Sequence, residues 1–365
     1  MIHPLSLQDI ERYEPGAKGK GEPILRKIME WMPPYAAVHV TGVRTPDGRE
    51  TEGWFVAATF LPEQVVDLPR EDVYRKVVGA IEIGAQLGAQ IAGLGAFTGV
   101  VGDAGITINE RSPIPVTTGN SLTISAGVQS LFRGAREMGV DTSCATAAVI
   151  GATGSIGAAC ARLIAPKVAR VILVARNETR LRKFYDEVAP TLACESEYTT
   201  DVGAAVRRAQ LVLTATSSTR DVIEADDLLT GAVVCELSLP HDVSRRVGRE
   251  RPDVLVVEGG NMRVPGNPRF ERVREPGTDF DLGLPARTAL ACMSETMVLA
   301  LEGRFEPYTL GRGIQLERVI EITEMADRCG FELADMRAFD VAVTPERIAA
   351  ARAAASTRVR EGLAS

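Results

Sequence analysis

Residues 145–157 read Ala145-Thr-Ala-Ala-Val-Ile150-Gly151-Ala-Thr-Gly154-Ser-Ile-Gly157, and this stretch decides the fold. Its first six residues make a short apolar run of strand length, and the residues after it carry a helical pattern. Three glycines stand between the two. In a strand–turn–helix of this kind, Gly151 allows the tight turn and Gly154 lets a pyrophosphate approach the backbone. Gly157 lets the helix pack on the strand. Thr153, Ser155 and Ile156 complete the turn and the first helical residues, where N–H donors and the positive end of the helix dipole favour an anion.

The sequence on either side repeats the alternation. Strands are expected at 145–150, 170–174, 194–198, 211–215, 232–237 and 254–258. Helices are expected at 155–164, 178–188 and 202–209. Strands separated by helices of this length predict a parallel, doubly wound sheet. The end of the second strand bears on the cofactor. An NAD site places Asp or Glu about 20 residues beyond the glycines, on the ribose 2′-OH. Here the chain reads Val174-Ala175-Arg176-Asn177. A guanidinium pairs well with a 2′-phosphate, so Arg176, with Asn177 beside it, predicts NADPH. Thr216 and Ser217 follow the fourth strand, at the edge where cofactors lie, and are expected to contact it.

The rest of the chain is more mixed. Residues 1–35 read as an irregular arm broken by prolines, with one short helix near 24–31. A hairpin is expected from strands 36–43 and 53–60 around Pro46-Asp47-Gly48, then a helix over 70–88. A short strand at 91–97 and an extended 113–116 lead through Thr117-Thr-Gly-Asn120 into a helix at 121–138. After Asp281, helices are expected at 284–302, 315–329 and over the tail from 345. The expected class is α/β: a doubly wound Rossmann-type parallel sheet with a second, smaller mixed α/β domain and C-terminal helices. The expected division is a substrate domain at 1–139 and an NADP-binding domain at 140–281. Helices at 282–365 would carry the nucleophile and pack across both.

Composition narrows the function. The 365 residues are 45 % hydrophobic and 24 % charged, with a net charge of -7. A nucleic-acid surface needs a basic field, so no nucleic-acid partner is expected. No apolar run reaches the roughly 18 residues of a membrane span, and no secretion signal opens the chain, so a cytoplasmic location is expected. The six cysteines contain no CxxC pair, and the three histidines, His3, His39 and His241, are far apart. Neither a zinc site nor a dithiol pair is expected. Lys183 is the last lysine, so no Schiff-base lysine comes from the second half.

Ala291-Cys292-Met-Ser-Glu295-Thr-Met297-Val-Leu299-Ala-Leu-Glu302-Gly303, followed by Gly311-Arg312, resembles the cysteine helix of the cyanobacterial long-chain acyl-[acyl-carrier-protein] reductases. Leu94-Gly95-Ala96-Phe97, Thr117-Thr118-Gly119-Asn120, the glycine turn, Ala175-Arg176-Asn177 and Gly259-Gly260 fall in the same order along residues 50–340. The resemblance implies NADPH-dependent reduction of a fatty acyl thioester to the aldehyde, with Cys292 carrying the acyl group. The implied substrate is a fatty acyl-carrier protein or acyl-CoA, and an aldehyde-consuming enzyme would be a natural partner. An apolar tunnel between the domains is expected to hold the chain.

The residues themselves agree with a thiol nucleophile, because a thiolate gives a new thioester that still accepts hydride. Glu295 is one turn after Cys292 and could orient the site. Thr118 and Asn120, at a helix entry, could donate to the thioester oxygen. They could equally be capping residues. His241 follows a strand at the cofactor edge and could donate a proton. The run Arg245-Arg246-Val-Gly-Arg249-Glu-Arg251 could meet an acidic carrier protein. Two other readings stand beside this one. One is a shikimate-type NADP-dependent dehydrogenase, which needs a Lys–Asp pair in the first domain. The other is a non-catalytic NADP(H)-sensing protein.

Overall fold

A computed structural model describes residues 2–4, 7–99, 102–218, 220–238 and 241–364. The chain divides into two compact units. One comprises Met1–Leu122 with Met262–Glu332, the other Thr123–Asn261 with Leu333–Ser365. The segment after residue 282 therefore contributes to both.

The second unit holds a six-stranded sheet. Its order is Leu255–Glu258, Val233–Glu236, Leu211–Thr214, Thr146–Ile150, Arg170–Val174, Glu195–Thr199. Every pairing is parallel; Ala147 sits between Val171 and Leu211. The four central strands are buried almost throughout. Helices on both faces exclude water from both sides, which is why these strands read as unbroken apolar runs. The chain starts in the middle of the sheet, winds outward one way, then returns to wind the other way. This is the doubly wound Rossmann-type order, and ligands bind at the strand C-termini where it reverses.

The first unit is built on a three-stranded antiparallel sheet, ordered Gly266–Arg272, Tyr35–Arg44, Glu50–Ala57. The expected hairpin is present, with Thr45 N–H donating to Arg49 O at 2.9 Å around the Pro46-Asp47-Gly48 turn. Helix Arg70–Gln86 buries Val73, Val77 and Ile81. They pack with Phe60, Leu94, Ile108 and Val116 in one core.

Several elements differ from expectation: helices Pro62–Asp67 and Arg245–Glu250 are added, and the strand expected at 91–97 shortens to Ala92–Gly93. The arm holds two helices, Leu7–Tyr13 and Glu22–Trp31. A short helix, Ile106–Arg111, was not expected. The third antiparallel strand comes from residues 266–272, too polar to read as a strand. Finally, the helix expected from 284 begins only at Ala291, after a short strand Thr288–Leu290. Gly283 and Arg287 both have left-handed backbones, φ 74 and 59, and Pro285 lies between them. No helix can run through that sequence.

Candidate functional site

The later start of helix Ala291–Leu301 moves Cys292 to its second residue. The N-terminal end of the helix dipole favours negative charge there, the setting in which thiolates form. The N-cap residue, Leu290, has no side-chain cap. Three of the other cysteines are less suited. Cys160 and Cys235 are fully buried, and burial drives both thiols far up. Burial and Glu302 push Cys329 up to about 12. Cys292 is half-buried.

Cys292 lies in the wall of a cavity of about 170 Å³. Trp54, Phe55, Ile81, Ile91, Met293 and Met297 supply much of its apolar lining. All of the lining residues belong to the first unit. The arrangement gives a nucleophilic sulfur beside an apolar space, as attack on the carbonyl of an apolar chain requires.

Gly119 presses on this cysteine. It has φ 76, and a Cβ there would stand 2.5 Å from Cys292 Cβ and 2.6 Å from Cys292 O. Only glycine fits. Glu295 holds the Gly119 turn in place. It is fully buried, and its carboxylate accepts from Thr117 Oγ1 at 2.5 Å and Leu122 N–H at 2.8 Å, with Thr309 Oγ1 at 2.9 Å. Burial pushes its pKa up, while these hydrogen bonds pull it down. Glu295 therefore faces the turn and is absent from the cavity lining. Thr118 is also turned away, its hydroxyl donating to Thr309 O at 3.0 Å. Asn120 opens the helix Asn120–Met138 and is half-buried. Of the roles the sequence leaves open for Thr118 and Glu295, the structure shows hydrogen bonds to backbone and turn. The sequence reading missed Gly119, Thr117 and Thr309, and the glycine inside Thr117-Thr-Gly-Asn120 was the one available signal.

In the second unit, Gly151 has φ 84, and a Cβ on Gly157 would fall 2.8 Å from the Gly151 carbonyl carbon. Gly154 is the N-cap of helix Ser155–Ile164 and brings no side chain. Thr153 belongs to the turn, and Ser155 and Ile156 open the helix. The turn is thus a cradle made by missing side chains, which fits a pyrophosphate. Arg176 is exposed beyond the second strand. Asn177 caps the next helix, accepting from Arg180 N–H at 2.8 Å. Arg180, which the sequence reading missed, reaches back to donate to Thr153 O at 2.9 Å. Ser217 is exposed, whereas Thr216 Oγ1 donates to Asp242 at 2.6 Å. Asp242 is fully buried and also receives Thr214 and Ser238 hydroxyls, so it organises the loop after the fourth strand.

His241 stands near the C-terminal end of strand Val233–Glu236. Its Nδ1 is 2.7 Å from Glu236 Oε2, and that carboxylate is almost completely buried. The hydrogen bond to Glu236 raises the histidine pKa against the opposing effect of burial. A raised native pKa means that protonation stabilises the fold. The contribution is complete below the ordinary value of about 6.5 and is lost as the pH rises through the native value. Melting temperatures between about pH 6 and pH 9 are expected to fall more steeply for the wild type than for His241→Gln. Parallel curves would remove this pair from the pH response.

The arginine run after His241 is largely neutralised. Arg245 pairs with Asp340 at 2.9 Å and Arg246 with Glu250 at 2.7 Å. Arg251 is buried against Asp253 and two carbonyls. Lys76, one of the four lysines of residues 1–139 with Lys18, Lys20 and Lys27, donates to Met29 O, Glu30 O and Thr59 O at 2.6–2.9 Å. Burial lowers its pKa to about 8, but its protons serve the fold. Among the described residues, no helix is long and apolar enough to cross a membrane.

The Shikimate / quinate 5-dehydrogenase family pattern matches residues 134–258. The chain is 31 % identical over 280 residues to Aminotransferase PigE of Serratia sp., covering 76 % of this chain and 32 % of that protein. It is 27 % identical over 311 residues to the long-chain acyl-[acyl-carrier-protein] reductase of Synechococcus elongatus, covering 82 % and 87 % respectively. The chain thus spans about a third of the first relative. Among solved structures, glutamyl-tRNA reductase from Methanopyrus kandleri aligns with TM-score 0.29 and 12 % identity, covering 98 % of this chain and 78 % of that one. The dehydrogenase match, together with the glycine cradle, indicates a nicotinamide cofactor.

Proposed function

We propose that this chain is an NADPH-dependent acyl-thioester reductase that releases a fatty aldehyde through an acyl group carried on Cys292. The observation that carries the reading is a half-buried cysteine in the first turn of a helix, in the wall of an apolar cavity. The 27 % identity to the Synechococcus acyl-[acyl-carrier-protein] reductase supports the substrate class. The second unit, with the glycine turn at 151–157, holds the cofactor, and the first unit takes the acyl chain.

Cys292 Sγ, as thiolate, attacks the acyl carbonyl carbon. The new C–S bond forms as the bond to the carrier sulfur breaks, and the departing thiolate takes a proton from water. The helix N-terminus holds the sulfur charge before attack. Gly119 and the Glu295 network keep the sulfur aimed at the cavity. The apolar walls keep water from the enzyme thioester. Gly151, Gly154 and Gly157 would hold the pyrophosphate of NADPH, which would supply hydride to this thioester; the bond between the acyl carbon and Cys292 Sγ then breaks, releasing the aldehyde and returning the thiolate. Of the lysines that a shikimate-type dehydrogenase could draw on, Lys76 is bonded to three carbonyls, and Lys18, Lys20 and Lys27 are exposed on the N-terminal arm. A sensor would bind NADPH without consuming it. Incubating the protein with NADPH and a long-chain acyl thioester tests the reading: aldehyde must appear as NADPH is consumed. NADPH binding without turnover would leave the sensor reading.

Arg176 sets the cofactor preference. Arg176→Ala is expected to weaken NADPH binding roughly ten- to a hundred-fold, the worth of a charge-assisted phosphate contact, and to leave NADH nearly unchanged. Titration of both cofactors into both proteins checks this. A wild type that prefers NADH would sink the assignment.

A further inference from the structure

Helix Glu22–Trp31 is apolar on two sides, and only one side is used within the chain. Leu25 and Met29 are buried with Ile10, Ala17 and Leu61. Ile24, Ile28 and Trp31, at i, i+4 and i+7, share the other side and are 57 %, 41 % and 73 % exposed. Single exposed apolar residues are ordinary. Three large ones in register on one helix face mark a surface that something covers.

The local charge indicates what covers it. The chain has a net charge of -7, yet three of its six lysines, Lys18, Lys20 and Lys27, fall within residues 18–27. All three are exposed. Lys27 Nζ lies 4.9 Å from the centre of the Trp31 ring. Nearby, Arg26 pairs with Glu22 and Glu63 and Lys27 with Glu30, while Lys18 and Lys20 add positive charge just before the helix. Lysine stems can hold their ammonium groups at a headgroup layer while an indole and two isoleucines sink beneath it. A second copy of this chain would set the same lysines against one another, which is unfavourable. An acidic protein would match the lysines but must also bring a pocket for Trp31. An anionic bilayer meets both requirements with no special shape.

We propose that helix Glu22–Trp31 is a peripheral membrane-docking face. It lays Ile24, Ile28 and Trp31 into the interface of an anionic bilayer, with Lys18, Lys20 and Lys27 at the headgroups. Docking does not depend on the reductase reading, because none of these residues lines the Cys292 cavity.

The test uses the full chain with vesicles of phosphatidylcholine alone or with about one-third phosphatidylglycerol. Co-sedimentation is expected to rise about tenfold or more on the anionic vesicles and to fall in high salt. In a Trp54→Phe background, Trp31 emission is expected to shift to shorter wavelength on binding. Ile28→Asp and Trp31→Ala should each lower the bound fraction about tenfold. Lys18→Glu with Lys20→Glu should remove the preference for anionic lipid. Lys18, Lys20, Ile28 and Trp31 are exposed, so substitutions there are expected to leave the melting temperature of the parent protein unchanged and report a folded protein. Absence of pelleting with either vesicle overturns the proposal, as does pelleting that survives Ile28→Asp and Trp31→Ala. It also fails if Trp31→Ala abolishes a dimer, or capture of a purified acidic carrier protein, while vesicles are not bound at all.

Discussion

Cys292→Ser is expected to lower aldehyde formation by about four orders of magnitude while NADPH still binds. Serine nearly keeps the volume but replaces a thiol with an alcohol of very high pKa. Any acyl product would be an ester, a poorer hydride acceptor than a thioester. NADPH binding should persist, because the Gly151–Gly157 cradle belongs to the other compact unit. A second measurement separates loss of the nucleophile from loss of the fold. Wild-type protein mixed with acyl thioester in the absence of NADPH is expected to gain one acyl mass, with peptide mapping placing it on Cys292. Cys292→Ser should gain none and should melt at the wild-type temperature. If Cys292→Ser turns over at nearly the wild-type rate and the wild type forms no adduct, hydride goes directly to free substrate. Cys292 would then be a packing residue of the cavity wall.

The parallel sheet was legible in the sequence because its physics is local. Each strand is covered on both faces, so it appears as an uninterrupted apolar run, and each helix between carries its own periodicity. The strand Arg170–Val174 and the helices Ser155–Ile164 and Glu178–Val188 fall on their expected bounds. The first unit was less legible because its order comes from distant partners. Strand Gly266–Arg272 is polar and pairs with Tyr35–Arg44, more than 200 residues earlier. Glu295 looks like a surface acid in sequence. It is buried because Thr117, 178 residues away, and Thr309, 14 away, satisfy it. Asp242 is a similar case. Its partners Thr214 and Thr216 lie 28 and 26 residues away, so no short motif announces them. The late start of the cysteine helix was not legible, since Gly283 and Pro285 fit a helix start as well as a break, and the left-handed Arg287 carries no sequence signal.

Gly119→Ala is expected to disable the same nucleophile without touching it. A methyl group at this position would stand 2.5 Å from Cys292 Cβ and 2.6 Å from Cys292 O. Neither neighbour is the free end of a flexible side chain, so helix and turn must part by about an ångström. The backbone adds to the cost, because φ 76 is left-handed and disfavours a residue with a Cβ by about 1–2 kcal/mol. Glu295 resists any relaxation, since its carboxylate ties Thr117, Leu122 and Thr309 to the cysteine helix. A displacement of this size at a reacting atom costs about a hundredfold in rate. Acylation of Cys292 in the absence of NADPH should slow by a similar factor, while NADPH affinity stays unchanged. Gly313→Ala is the control, since nothing lies within 4 Å of a Cβ there and its backbone is not left-handed. It should match wild type in both rate and melting temperature. If Gly119→Ala acylates and turns over like the control, the turn does not aim the thiol, and the contact between Gly119 and Cys292 is packing alone.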